Sequence, residues 1–315
     1  MKNLFVKIII LFSSVIVNAQ ILTIPDENFK NALINTKCSD TNRDGVGDAS
    51  ADLNGDGEIQ RSEAEEVYVL DLKNKNISSL EGISNFVNLE YLLCDNNKIS
   101  SLNLLKLNKL RSVSCSNNGL EELNISGLPN LRLVICSKNK LTKLDATNLK
   151  KLYFLECKLN KIENLELKGS NNIETLDANI NKLTVLDVSF LSKLKLLHLV
   201  QNNLTDLKIG ELTNLHTIWL DDNHLKDINL EGCTSLTNLH CARNGLKKLD
   251  IKRLTHLEFL DCKSNSLETI DASNSIKLKQ LYCQNNNLRL INISNISSLE
   301  DFNFSNNQSK VILVE

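Results

Sequence analysis

The sequence predicts an α/β solenoid, a right-handed curved coil of about 11–12 turns. One parallel β-sheet should line its concave face, with little helix on the convex face. Three observations predict this. Apolar residues recur every 21 positions through roughly four fifths of the chain. Within each recurrence, apolar and other residues alternate with the two-residue period of a strand. And one asparagine returns at the same place in every unit.

The register is set by Leu89, Leu110, Leu131, Leu152, Ile173, Leu194, Leu215, Leu236, Leu257, Leu278 and Leu299. Three positions on stands a second apolar series, from Leu92 and Val113 to Phe302. Five positions on stand Cys94, Cys115, Cys136, Cys157, Ala178, Leu199, Leu220, Cys241, Cys262, Cys283 and Phe304. Eight positions on, the residue is always Asn, from Asn97 to Asn307. A less regular turn, Leu70-Asp71-Leu72 to Ile77, leads in.

One strand per coil, always in one direction, makes a parallel sheet whose coils stack about 4.8 Å apart. No coil can bury its own apolar face, so stability comes from its neighbours. The Asn stands where the chain leaves the strand, and its amide can pair with turn N–H and C=O groups of its own and adjacent coils. A second apolar pair, such as Leu102/Leu104 or Leu123/Ile125, packs from the convex side. Short strands or irregular turns are expected there.

The unit L-x-x-L-x-C/L-x-x-N-x-L-x-x-L-x-L resembles the leucine-rich-repeat family over residues 67–315. The cysteine at the sixth position and the 21-residue period resemble the cysteine-ladder internalins, which are bacterial surface proteins. That resemblance implies a solenoid that binds through its concave face.

The nine cysteines are an odd number, so at least one thiol is unpaired. Seven occupy the ladder position. A spacing of about 4.8 Å between coils does not exclude bridges. Stacked side chains that point the same way, in a slot also filled by Ala178, Leu199 and Leu220, favour buried free thiols. Cys233 replaces a convex-side leucine, and the state of Cys38 is open.

Residues 1–19 read as a cleavable export signal. Lys2 and Lys7 are followed by a mostly apolar stretch, Ile8 to Val17, and then by Val17-Asn18-Ala19. A retained anchor is the alternative. The mature chain would begin at Gln20 and be secreted or held at the cell surface, with no transmembrane segment left.

Residues 20–66 break the repeat and are expected to cap it. Pro25 to Ile34 reads as a short helix, with Phe29, Leu33 and Ile34 toward one face. Two acidic stretches follow. Residues 52–63 satisfy D-x-[DN]-x-[DN]-G-x5-E and resemble an EF-hand loop. The resemblance implies one calcium ion held by Asp52, Asn54, Asp56, the Glu58 carbonyl, Gln60 and Glu63, with Gly57 at the sharp turn and Ile59 packing beneath. The first stretch resembles the calcium loops of thrombospondin type-3 repeats. There Asp40, Asn42, Asp44, the Val46 carbonyl, Asp48 and Asp52 would be the ligands. The twelfth residue of that stretch is Ala51, which departs from an EF-hand. A solvated acidic turn is the plain alternative.

On the concave face, the residue before the ladder position runs Glu156, Asp177, His198, Trp219, His240, Asp261 and Tyr282 through the middle coils, with Phe154 and Phe259 one column away. Aromatics ringed by polar groups resemble a binding hot spot. Each histidine borders an aspartate, which should raise its affinity for protons.

Composition sets the function class. The 315 residues are 42% hydrophobic and 23% charged with net charge −2, which gives no nucleic-acid footprint. No nucleophile–base set, Gly-rich phosphate loop or zinc spacing occurs, so an enzyme is not expected. The expectation is a binding module for a protein or carbohydrate ligand. The alternative is a structural or self-assembling surface scaffold. Val311 to Val314 end the last repeat without a polar cap, which leaves three readings: the chain is a fragment, a partner covers that edge, or it self-associates there.

Overall fold

The computed structural model describes residues 20–40 and 47–314. The predicted export signal at 1–19 lies outside the described residues, as do Asn42, Asp44 and Val46 of the first acidic stretch.

The chain winds into the predicted parallel-strand solenoid of about twelve turns, with little helix. Each coil contributes a three-residue strand to one 13-stranded sheet, from Ser39–Asp40 to Asp301–Asn303. Neighbouring coils pair in register 21 residues apart, as Leu155 with Leu176 and Leu176 with Leu197. The middle residue of each three-residue strand is buried, except the half-buried Phe302 of the last coil, and the flanking residues face the concave surface. At Thr217–Trp219, for instance, Ile218 is fully buried and Trp219 is exposed. Behind the sheet lies one continuous apolar core, to which every coil adds aliphatic side chains such as Leu152, Leu155 and Ile162. Each fully buried side chain of this kind contributes about 2 kcal/mol.

The convex side carries short parallel ladders in groups of two or three strands, such as Lys143–Asp145 with Asn164–Glu166. Asp227–Asn229 and Lys248–Asp250 form none, and there the turns are irregular.

The asparagine column joins the coils. The Asn202 amide donates to the carbonyls of Leu199 (3.2 Å) and Val200 (3.5 Å) in its own coil and to Ala178 (3.0 Å) in the preceding one. Its Oδ1 accepts from Leu183 N–H at 3.1 Å. The same set of bonds recurs at Asn118, Asn139, Asn160, Asn181 and Asn223. One side chain thus satisfies polar groups of two coils inside a low-dielectric core.

The residue before each asparagine is left-handed, from Asn96 to Asn306, with φ between 51° and 59°. That conformation turns the chain inward and brings the amide to its partners. Asn fills it in four coils, at 96, 117, 285 and 306. Ile180 fills it in another, at φ 55°, where a β-branched residue is strained.

All nine cysteines are free and buried. The two ladders stack thiol on thiol. Burial pushes the Cys38 and Cys233 thiols up to about 11 and Cys283 up to about 12. They are small core residues, and their thiolates are inaccessible near neutral pH.

The cap covers the first coil. Helix α1 spans Glu27–Asn35 and buries Phe29, Ala32 and Leu33, with the Phe29 ring 6.4 Å from Phe86. Ile34 packs only partly against the core. The Asp26 carboxylate caps α1 through Phe29 N–H and also accepts from Ser78 and Ser79 N–H, so one side chain fixes the helix to the solenoid. Ser39–Asp40 adds antiparallel to Val69–Asp71 and closes that edge of the sheet. Helix α2, Arg61–Glu65, follows the second acidic loop.

Two substitutions separate these effects in denaturant unfolding. Asn202→Leu strands one N–H and at least two carbonyls and should cost roughly 2 kcal/mol or more. Ile180→Asn removes left-handed strain and should add about 1 kcal/mol.

Candidate binding surface

The concave face brings together five of the predicted ligand-binding residues. His198, Trp219 and His240 stand on consecutive strands in one register column. The His198 and Trp219 rings stack at 4.5 Å and 16°. His240 meets Trp219 edgewise at 5.3 Å and 60°. The column then crosses to its neighbour. His240 stacks on Phe259 at 4.4 Å, and Phe259 meets Tyr282 at 5.7 Å. The crossing occurs because Asp261, not a ring, lies directly opposite His240, and the diagonal neighbour is within reach of an aromatic side chain. The Tyr282 hydroxyl donates to Asp301, which holds the phenol in its protonated form.

Trp219 is 39% exposed. The other four rings are half-buried by their neighbours. Trp219, His240 and Phe259 are confined by rings on both sides, and Tyr282 by Phe259 and its bond to Asp301, so the column is a preordered surface.

Charges flank it. Lys158 bridges Glu156 at 3.3 Å and Asp177 at 3.4 Å. Lys263 bridges Asp261 at 2.5 Å. Phe154 pairs in register with Thr175 and Leu133 and stands apart from the ring column. The predicted site therefore divides into an ion cluster at Glu156–Asp177, a ring column from His198 to Tyr282, and the Asp261 bridge beside it.

The histidines differ from the expectation. Burial between rings pushes the proton affinity of His198 and His240 below the ordinary value, and this outweighs Asp177, Asp221 and Asp261. Two of those three aspartates are already neutralised by lysines, and Lys158 and Lys263 themselves oppose imidazolium formation. The neighbouring aspartates identified in the sequence are present, but their charge is spent elsewhere.

In the cap, the second acidic loop is tightly closed. Asp52 Oδ1 accepts from Gly55 and Asp56 N–H, and Oδ2 accepts from Gly57 N–H. Glu63 Oε1 accepts from Leu53 and Asn54 N–H, and Oε2 from Gln60 N–H, completing a capping box on α2. Asp56 receives the amide hydrogens of Asn54 at 3.0 Å and Gln60 at 2.9 Å. Glu58 bridges Lys30 of α1 at 2.6 Å. Gly55 and Gly57 take positive φ, and Ile59 is buried beneath the loop. In the first stretch, Asp40 is buried in its strand and Asp48 donates its N–H to the Ser39 carbonyl.

Among the described residues, no three Asp, Glu, His or Cys side chains are gathered around one point. The oxygen-rich donor set nevertheless suits a hard cation. Asp52 Oδ2 and Glu63 Oε2 each accept one N–H and keep a lone pair. The amide groups of Asn54 and Gln60 stand where positive charge is wanted, and rotating them would replace N–H with carbonyl oxygen.

No family model matches the sequence, and no curated protein does. Solved structures do resemble it. The functional domain of InlJ from Listeria monocytogenes, which includes a cysteine ladder, is 30% identical over 79% of this chain, with a TM-score of 0.72. The chain spans 55% of the length of that domain. A leucine-rich-repeat protein of Leptospira interrogans is 25% identical over 81% of this chain and 70% of its own, with a TM-score of 0.69. An internalin, InlF from Listeria monocytogenes, is similar in fold, at 21% identity and a TM-score of 0.59, over 93% of this chain and 95% of its own. The fold is that of the leucine-rich-repeat solenoids, with internalin-like structures among its neighbours.

The histidines make stability depend on pH. Their folded-state proton affinity is lowered, so the stability they contribute is complete above the unfolded value of about 6.5 and is lost as pH falls through it. Melting temperatures between about pH 7.5 and pH 5.5 should fall more steeply in the wild type than in a His198→Gln/His240→Gln variant.

Proposed function

We propose that the chain is an exported binding protein that recognises a protein or carbohydrate ligand on its concave face, in an adhesion or receptor-like role. The observation that carries this reading is the ring column His198–Trp219–His240–Phe259–Tyr282, with Trp219 exposed at its centre. Clustered, preordered aromatics supply large contact area at small entropic cost, which is how binding hot spots are built. The flanking Glu156, Asp177 and Asp261 supply a polar rim. The resemblance to internalin-like solenoids supports an interaction role of this kind. In this reading residues 1–19 are the export signal, 20–66 the cap and 67–315 the binding array. Nothing in the arrangement points to catalysis or to nucleic acid, and among the described residues no helix is long and apolar enough to cross a membrane.

The cap loop would hold one calcium ion through Asp52, Asn54, Asp56, the Glu58 carbonyl, Gln60 and Glu63. Asp40 and Asp48, with Asn42, Asp44 and Val46, would hold a second. The ion would take over the charge balance now supplied by the Asn54 and Gln60 amide hydrogens and lock the loop between α1 and the first coil.

A scaffold that self-associates is the second reading. It draws on the last coil, where Phe304, Ile312 and Val314 are exposed at 37%, 63% and 40%.

Tagged full-length chain should retain a ligand from surface extracts or a glycan array, and the triple variant His198→Ala/Trp219→Ala/His240→Ala should lose it by at least tenfold. Equal retention by both would sink the concave reading, and retention only of the chain's own untagged copy would favour the scaffold. Separately, about 1 mM calcium should raise the melting temperature by several degrees, and Asp52→Asn/Glu63→Gln should abolish that rise. An unchanged melting curve in chelator and in calcium would remove the metal.

A further inference from the structure

The ring column narrows what the ligand offers, on the reading that the concave face is the binding site. Ring contacts cover the faces inside the column and leave His198 and Tyr282, at its ends, with one ring partner each. His198 lies over one side of Trp219, and His240 stands against it on the other. His240 is itself stacked on Phe259. What the column turns outward is ring edges, and among the described residues the indole N–H of Trp219 and the ring nitrogens of His198 and His240 have no hydrogen-bond partner. Sugar C–H groups and bare cations seek the electron-rich face of a ring, and its electropositive edge seeks acceptors such as backbone carbonyls.

The charges beside the column point the same way. Of the neighbouring carboxylates, Asp301 takes the Tyr282 hydroxyl and most of the others already have a cation. Lys158 serves Glu156 and Asp177, Lys263 serves Asp261, and Arg243 grips Asp222 through two bonds of 2.5 and 2.7 Å. Asp221 has none. It is half-buried two residues beyond Trp219, and its Oδ1 accepts only the Ala242 N–H at 2.7 Å. Burial raises its proton affinity, the mark of a carboxylate short of compensating charge.

We propose that Asp221 determines specificity by taking a lysine or arginine side chain of a protein ligand, whose backbone lies along the outward edges of the ring column. A basic side chain at this point replaces lost hydration with an ion pair in a partly desolvated setting, where one is worth most. An acidic ligand would be repelled by Asp221, which no ion pair offsets, and a neutral sugar would find the inner ring faces of the column covered.

Trp219 is the single tryptophan of the chain, so its emission reports the site directly. The full chain would be titrated with tetra-arginine amide, tetra-aspartate and chitotetraose. Tetra-arginine should shift the emission saturably, and raising salt from about 50 to 500 mM should weaken it. Asp221→Asn, whose Oδ1 can still accept from Ala242, should weaken the response at least tenfold with an unchanged melting temperature. Asp227→Asn, exposed on the convex side, should leave it unaltered. An equal response in Asp221→Asn, an equal loss in Asp227→Asn, no response to tetra-arginine, or a stronger response to chitotetraose would each overturn the assignment. A protein that the triple variant loses but Asp221→Asn still retains would overturn it too, while leaving the concave reading intact. Loss by neither variant would remove both.

Discussion

The structure depends on one side-chain amide repeated along the array. A solenoid coil ends its strand by turning the backbone into the core, where N–H and C=O groups find no water and no ladder partner. The asparagine amide has two donors and an acceptor, and it is short enough to reach both coils at once. Leucine in the same place would fill the volume and leave several polar groups bare. Serine would reach one of them. Because the amide bonds run 19 and 24 residues back, they also fix the register between coils. A one-residue slip would send every buried strand residue to the concave face. The leucines supply the driving force for collapse, and the amides hold the coils in register, at 22 residues in the first step and 21 in those that follow.

That constraint explains what the sequence could show. The period, the buried columns, the asparagine and the free thiols follow from side-chain type at fixed spacing, and all of them were legible. The left-handed residue before each asparagine was not. Asn96 and Asn117 tolerate that conformation, but Leu159, Ile180 and Arg243 hide it, because the fold imposes φ whatever the side chain prefers. The ring column was legible as a set of residues but not as a path. Strand register puts Asp261 opposite His240, and only side-chain geometry shows that the stack continues through Phe259. Histidine proton affinity was read with the wrong sign. Sequence spacing places each aspartate near its histidine and says nothing of the lysines that reach those aspartates first.

The acidic loop of the cap shows how such a segment persists with its carboxylates drawn together. Asp52 and Glu63 are nearly buried, yet each accepts three backbone N–H groups, and those partial charges do part of the work of a cation. Asp56 is more exposed, and its charge is met by two side-chain amides. The loop is thus organised by the same device as the array, amide hydrogens placed against oxygen. Its position between α1, through the Lys30–Glu58 pair, and the first coil means that whatever tightens it tightens the seal on the core's open end.

The concave face obeys a different logic, because nothing in the core requires it. Ser112, Thr175 and Thr217 show that the sheet tolerates small polar residues at half-buried concave positions. Five interlocking rings on neighbouring coils are costly to leave in water, and they do nothing for the packing behind them. Stacking on one another recovers part of that cost and removes their rotamer freedom in advance. The price of this order is the loss of the inner ring faces as contact surface. A site built this way gives up adaptable stacking and gains fixed edges at the coil spacing, with the half-buried Asp221 beside them free of any ion pair. Such a surface discriminates by where a partner's acceptors and cation lie, more than by how much apolar area it can cover.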